Sequence, residues 1–268
     1  MNQTKTIHIR YSQAPFFEIR QTSNSDRAYE SHSHPSLSIG YIKEGSTLFQ
    51  LNHESFLLER GALAIIPPYT QHACNPLEKQ TRSYVMVYFV SALCLEKQTK
   101  LFKTTTTLLP LKMPLIYHDS LYTRFTQIIE RLLTRYDQEV SHALEQWLEE
   151  FLWLYTSHEE TTPAQTVDTI AFYLNNRFDE PISLKRLASR FEYNPFVLLR
   201  HFKEAYGCTP KQYWLNMRIH HAKQLLQNGT PISLCALYCG FVDQSHFHRF
   251  FKRHTALTPK EYQVNFIQ

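Results

Sequence analysis

Residues 239–262 read CGFVDQSHFHRFFKRHTALTPKEY, and the last five of them, TPKEY, nearly repeat the TPKQY of residues 209–213. Sliding the tail on itself by 48 residues sets Leu184 on Ile232, Leu187 on Cys235, Ala188 on Ala236, Phe191 on Cys239 and Tyr193 on Phe241. One residue added in a turn makes the shift 49. Arg200, Phe202 and Lys203 then fall on Arg249, Phe251 and Lys252. The tail is a duplicated unit, and the pentapeptide closes each copy.

Each copy, about 183–206 and 231–254, has the layout of a helix-turn-helix. A short helix (LKRLASRF; ISLCALYC) leads through a tight turn (EYN; GFVD) into a second helix (PFVLLRHFKEAY; QSHFHRFFKRH). Asn194 and Asp243 suit the N-cap of the second helices, and Pro195 suits the first helical position. Ala188 and Ala236 let the paired helices approach closely, and spacing turns Leu198, Phe202, Phe247 and Phe251 inward. The outer face keeps Phe196, Leu199, Arg200 and Lys203 in the first copy. In the second it keeps Gln244, Ser245, His248, Arg249 and Lys252. Arginine can donate two bonds to guanine edges, glutamine can read adenine and lysine can meet phosphate, so these faces fit duplex DNA. A solvated helix face is the blander reading of each alone, and its recurrence at matched positions argues against it.

Between the copies, TPKQYWLNMRIHHAKQLLQNG reads as one helix stopped by Asn228-Gly229. Its roughly 18 helical residues span about 27 Å. With the width of the units added, this puts the two reading helices near the roughly 34 Å between successive major-groove faces of one duplex.

Charge agrees with this placement. The formal net charge is +4, but residues 1–162 hold 15 basic and 17 acidic side chains while 163–268 hold 13 and 7, so the basic excess belongs to the tail. The five cysteines show no CxxC pair and read as reduced, buried thiols. No apolar run reaches the roughly 18 residues of a membrane helix, and MNQTKTIHIR has no secretory core, so a cytoplasmic location is expected.

Upstream, residues 35–90 alternate at period two, as in Leu37, Ile39 and Tyr41, with Gly45, Asn52, Gly61 and Pro67-Pro68 as punctuation. They predict short strands. From 119 the period is helical, through Leu121, Phe125, Ile128, Ile129, Leu132, Leu133 and Tyr136, then Val140, Leu144, Trp147, Leu148, Phe151, Leu152 and Tyr155. Two amphipathic helices follow, whose stripe serves either packing on the strands or a subunit interface. The polar TSHEETTPAQ (156–165) marks the domain boundary, between a 1–157 module and a helical 158–268 module, and Pro163 suits a first helical turn.

The tail, carried by LASRFEYNPFVLLRHFKEAYGCTPKQY, MRIHHAKQLL and CGFVDQSHFHRFFKRHTALTPKEY, resembles the DNA-binding domain of the AraC/XylS family of bacterial transcription regulators. The resemblance covers residues 163–266. It implies sequence-specific promoter binding, transcription control often by contact with RNA polymerase, and base contacts from Phe196, Leu199, Arg200, Gln244, Ser245, His248 and Arg249. Three residues depart from the pattern. Leu199 cannot hydrogen-bond a base. Glu192 stands at a turn glycine, and Ala256 stands where Gly207 predicts a helix-ending glycine, so a weaker cap is expected on the second reading helix.

YESHSHPSLSIGYIKEG and ERGALAIIPPYTQHACNP resemble the sensor half of the same family, a cupin-like β-barrel (about 8–115, followed by the helices at about 119–157) that usually binds a small effector. The implied fold is α+β in two domains, and the implied assembly is a homodimer with four reading helices. His32, His34, Tyr41 and His72 are the candidate effector residues. Metal-binding cupins pair an HxH strand with a GxxxxxPxGxxH strand. Here His32, His34, Gly61, Pro67 and His72 are present, Tyr69 replaces the later glycine, and the usual glutamate ligand is missing. With Cys74 as a fourth donor, His32, His34 and His72 form a possible site for a zinc- or copper-type ion. The alternatives are a polar pocket wall or a structural pair. Tyr41, Phe49 and Tyr88 serve either cavity or core. A metal-dependent cupin enzyme or metal sensor with accessory DNA binding is the rival function, and an unregulated architectural binder is a third.

Overall fold

The computed structural model describes residues 4–78, 80–103, 108, 110–157, 165–264 and 266–267. The expected domain boundary and Pro163 fall largely in 158–164, outside the described residues.

The N-terminal half runs β1 (Lys5–Tyr11), β2 (Ala14–Ser25), β3 (Leu37–Glu44), β4 (Thr47–Leu51), β5 (Glu54–Leu58), β6 (Leu63–Ile66), β7 (His72–Pro76), β8 (Arg82–Phe89), α1 (Ser91–Phe102), β9 (Leu115–Ile116), α2 (Asp119–Thr134) and α3 (Gln138–Tyr155). The C-terminal half runs α4 (Gln165–Asn176), α5 (Leu184–Arg190), α6 (Pro195–Tyr206), α7 (Pro210–Gln227), α8 (Ile232–Tyr238), α9 (Gln244–Thr255), α10 (Pro259–Val264) and β10 (Phe266–Ile267). The fold is α+β in two domains, strand-rich first and helical second.

The strands do not close into the expected barrel. They form a seven-stranded sheet in the order β10-β1-β2-β8-β3-β6-β9 and a three-stranded sheet in the order β5-β4-β7. After β6, Pro67 and Pro68 withhold two amide donors, and the chain leaves the large sheet to pair β7 with β4. An isolated bridge, His32 N–H to His72 O (2.9 Å) and His72 N–H to His32 O (2.8 Å), ties β7 to the segment before β3.

Alternation along β3 and β8 gives the large sheet two different faces. Ile39, Val85, Val87 and Phe89 pack with Phe125, Ile129, Leu132, Leu144, Trp147 and Phe151 of α2 and α3. Ile42, Ala64, Ile66, Tyr84 and Met86 face Phe49 and Leu58 of the small sheet. The helical stripe is therefore consumed by packing rather than left open as an interface. Trp153 and Leu154 stay exposed at the end of α3. Helix α1 and strands β1 and β2 went unread in the sequence, which gave no clear period there.

In the tail, the expected helices appear with their caps. Asn194 Oδ1 accepts from the Phe196 and Val197 amides (2.9 and 3.4 Å), and Asp243 Oδ1 accepts from the His246 amide (2.6 Å). Thr209 and Gln212 close a capping box at the start of α7, which runs to Gln227 as the spacing predicts. Leu198 and Phe202 enter one core and Phe247 and Phe251 another, so each unit has its own apolar centre. The five cysteines are all free thiols.

Candidate DNA-reading surface and sensor cavity

The reading faces are open where the sequence places them. Phe196 is 81% exposed. Arg200, Lys203, Gln244, Ser245, Arg249 and Lys252 are exposed as well. Two candidates sit deeper than expected. Leu199 is half-buried, and His248 is half-buried with its Nε2 enclosed and unpartnered. Both lie beside the inward-facing positions of their helices, where a slight roll of the helix brings the edge of the face into the core.

Arg218, near the middle of α7, fixes the spacing of the two units. Its guanidinium donates to Phe178 O (2.5 Å) and Asp179 O (3.1 Å) in the loop after α4, and to Gly240 O (2.6 Å) in the turn of the second unit. It lies 3.5 Å from the Trp214 ring centroid. Burial lowers its pKa to about 10, which leaves it charged at neutral pH. One buried cation thus braces spacer and second turn together.

In the sensor domain, His32, His34, Tyr41, His72 and Cys74 all line one cavity of about 50 Å³, with Ile42, Leu58, Ile66, Met86, Arg20, Tyr29, Tyr84 and Tyr88. The structure brings every candidate effector residue together. His32 and His72 ring centroids are 4.5 Å apart, and His34 and His72 are 4.8 Å apart. Each ring donates Nδ1–H to a backbone carbonyl, of Glu30 (2.8 Å), Ser36 (3.1 Å) and Thr70 (2.9 Å) respectively for His32, His34 and His72. Burial holds all three far below the usual imidazole range, with His72 at about 4. They are neutral at pH 7. Tyr41 offers its ring but not its hydroxyl, which donates to Glu130 of α2 (2.9 Å).

Burial pushes the Cys74 thiol up to about 11, away from the thiolate that a metal needs. Among the described residues no group of three or more His, Cys, Asp or Glu side chains is disposed to hold a metal ion. The cavity reading is the one these contacts support.

The two domains meet along a seam that sequence reasoning missed. His254, at the end of α9, stands 6.2 Å from His32, ring to ring. Asn216 of α7 donates to Ser33 Oγ (2.8 Å), and Gln227 donates to Glu18 (2.8 Å). Arg27 donates to Ala256 O (2.9 Å), Arg20 to Thr255 O (3.2 Å), and the Glu30 amide to Arg253 O (3.3 Å). Ala256 takes the left-handed conformation, φ 57°, that was expected to weaken the cap. The cap is instead reinforced from outside: two cationic side chains of the sensor domain meet the last carbonyls of α9, where the helix dipole favours positive charge. A second cavity of about 100 Å³ lies along the seam, lined by His8, Arg10, Glu18, Arg20, His34, Tyr88, His220 and Lys223 among others.

This arrangement, an enclosed cavity in a strand-rich domain docked on a double helix-turn-helix, fits a DNA-binding regulator with its own ligand-binding domain. Residues 17–152, just over half of the chain, match the family described as the AraC-like ligand binding domain, and residues 187–265 match a helix-turn-helix domain family. The chain belongs to the AraC family of transcriptional regulators. An uncharacterized HTH-type transcriptional regulator of Bacillus subtilis, YbfI, is 25% identical over 254 residues, covering 91% of this chain and 90% of that protein. The HTH-type transcriptional activator RhaS of Escherichia fergusonii is 33% identical over 104 residues, 38% of this chain and 37% of RhaS. In three dimensions ToxT from Vibrio cholerae O395 aligns over 98% of this chain and 97% of its own, with a TM-score of 0.64 at 12% identity, which shows the shared fold. Another ToxT structure, bound to an unsaturated fatty acid, aligns at a TM-score of 0.65 and 14% identity, over 98% of this chain and 94% of that one.

Proposed function

We propose that the chain binds promoter DNA through α6 and α9 in successive major grooves, and that a small organic effector in the sensor cavity sets that affinity. Arg200 and Arg249 read base edges, with Gln244, Ser245 and His248 beside them. Lys203 and Lys252 meet phosphates, and Phe196 and Leu199 give apolar contact to thymine methyls. The observation that carries this reading is the matched pair of N-capped helices, each offering an exposed arginine and lysine at equivalent positions, on a spacer braced by Arg218.

The effector site is the cavity around His32, His34, Tyr41 and His72. Its neutral imidazoles and phenols supply directional hydrogen bonds, and Ile42, Leu58, Ile66 and Met86 supply the apolar wall. The chain acts as a regulator rather than an enzyme, in the cytoplasm, as a homodimer, with RNA polymerase as its partner at the promoter. Since the α2 and α3 stripe is spent on the sheet, self-association uses the outer face of α3, where Trp153 and Leu154 are exposed.

Footprinting on a duplex selected from a random pool tests the reading. Each chain is expected to protect two patches about 10 base pairs apart on one face of the DNA. A single patch, or none, contradicts it.

A further inference from the structure

The last turns of α9 border an open groove of about 650 Å³ that neither domain makes alone. Arg249, Lys252 and Arg253 line it from α9, Glu261 from α10, and Arg27 and Glu30 from the sensor segment between β2 and β3. Four cations meet two carboxylates there, which leaves the groove positive. The two carboxylates are placed differently. Glu261 is spent within its own turn, where it accepts from the Thr258 amide (2.7 Å) and from Arg27 (3.4 Å). Among the described residues the Glu30 carboxylate meets Arg253 alone, Oε1 to Nε at 3.5 Å, with both side chains more than half exposed. The backbone of Glu30 is pinned on both sides, its amide on Arg253 O (3.3 Å) and its carbonyl under His32 Nδ1–H (2.8 Å), so the carboxylate is held at the end of α9.

Arg253 follows Arg249 by four residues and so stands on the same helix face, one turn further along. Helix α9 has 12 residues, about 18 Å of length, whereas the major groove is about 12 Å wide. With the first turn of the helix on base edges, its last turn emerges at the rim of the groove, where the phosphates run. The first unit has no such arrangement. At the shift of 49 residues Arg253 matches Glu204, which lies 3.9 Å from Arg200 of its own helix. The sensor side chains that approach the end of α6, Asn52 and Gln71, are uncharged. The carboxylate near the end of α6 is therefore permanent, while the one at the end of α9 is supplied by the other domain.

We propose that this groove takes the phosphate strand beyond the bases met by Arg249, that Arg253 is a phosphate contact, and that Glu30 of the sensor domain competes with the DNA for it. This rests on α9 entering the major groove. A phosphate offers the guanidinium of Arg253 two acceptor oxygens in place of one long contact to Glu30, and the planar fork suits that exchange. The backbone of Glu30 stays in place as the strand enters, so its charge opposes the phosphates until the side chain turns into solvent. An exposed pair of this kind is weak, and its effect is a severalfold adjustment rather than a switch. The docked sensor domain thus lowers the affinity of the second unit for any duplex, whatever its base sequence. Arg27, engaged by Ala256 O and Glu261, takes no part.

The test is equilibrium binding of the full chain to a random duplex and to the selected duplex across a series of salt concentrations, for the wild type, Glu30→Gln, Arg253→Gln and the double variant. Arg253→Gln should weaken binding to both duplexes by about threefold and reduce the salt slope by about one. Arg253→Lys, which keeps the charge, should keep the slope. Glu30→Gln should strengthen binding to both duplexes by about threefold, and that gain should vanish in the double variant. Thermal midpoints measured on the same preparations separate a folding loss from a binding loss. An unchanged slope in Arg253→Gln, a gain from Glu30→Gln that survives in the double variant, or no gain from Glu30→Gln overturns the proposal. Wild-type DNA binding by every variant leaves the groove to an acidic protein partner and overturns it as well. The two-patch footprint of the wild type reports independently on helix entry. If that footprint is present while the variants behave as the wild type, this inference alone fails.

Discussion

The two helix-turn-helix units share one plan and solve its two awkward backbone positions in opposite ways. The turn between helices needs a left-handed residue, and so does the end of the reading helix. The first unit has Glu192 (φ 56°) in the turn and Gly207 (φ 68°) at the end, and the second has Gly240 (φ 68°) and Ala256 (φ 57°). Surroundings explain the exchange. Glu192 is exposed, so a side chain there has room. A Cβ on Gly240 would sit 2.4 Å from Asp179 O and 2.5 Å from Arg218 Nη2, inside the brace that fixes the units' spacing. Ala256 is buried with its carbonyl capped by Arg27 of the sensor domain, whereas a Cβ on Gly207 would sit 2.6 Å from Asn52 Oδ1 of that same domain. Thus both reading helices end against the sensor domain, the second through bonds from Arg20 and Arg27 to its last carbonyls and the first through close packing on Asn52, Gln71 and Tyr69.

The largest expected effect comes from Gly240→Ala. Backbone strain and a clash with a carbonyl that cannot swing aside should cost about 2–4 kcal/mol of stability, read as the midpoint of chemical denaturation. Glu192→Gly, at the equivalent position, should stabilise by about 1 kcal/mol or less, since it relieves strain but loosens the unfolded chain. Effects of equal sign at the two sites would break the comparison.

A smaller effect is pH dependence confined to the seam. Burial, outweighing the pull of Glu18, holds His8 at about 4, and burial reinforced by Lys223 holds His220 at about 3, against an ordinary 6.5. These groups are depressed bases, neutral when docked and protonated when exposed below pH 6.5. Docking is at full strength above pH 6.5 and weakens as the pH falls toward 4. From pH 7.5 to 5, exchange of the amides of α9, corrected for intrinsic rate, should rise severalfold more than that of α6.

The tail was legible because its signals are local. Asn194, Pro195, Asp243, Thr209 and Asn228-Gly229 each mark a boundary within a few residues of what they cap, and duplication repeats the message. The cavity was legible in part, because Tyr41, His72 and Cys74 lie on strands β3 and β7, and His32 and His34 stand out as an HxH pair in the segment before β3. What escaped was long-range. Arg20 meets Thr255 across 235 positions and Arg27 meets Ala256 across 229, and no periodicity joins such pairs. The closed barrel failed for a related reason: Pro67-Pro68 was visible as punctuation, but which strand β7 would choose was not.

The central claim is that both units read base sequence through their exposed arginines. Equilibrium binding of the wild type, Arg200→Ala, Arg249→Ala and Lys203→Ala to the selected duplex and to random DNA, at one fixed salt concentration, tests it most directly. Each arginine variant should lose about 1–3 kcal/mol on the selected duplex and little on random DNA, while Lys203→Ala weakens both alike. Equal losses on the two DNAs for both arginine variants would contradict the claim.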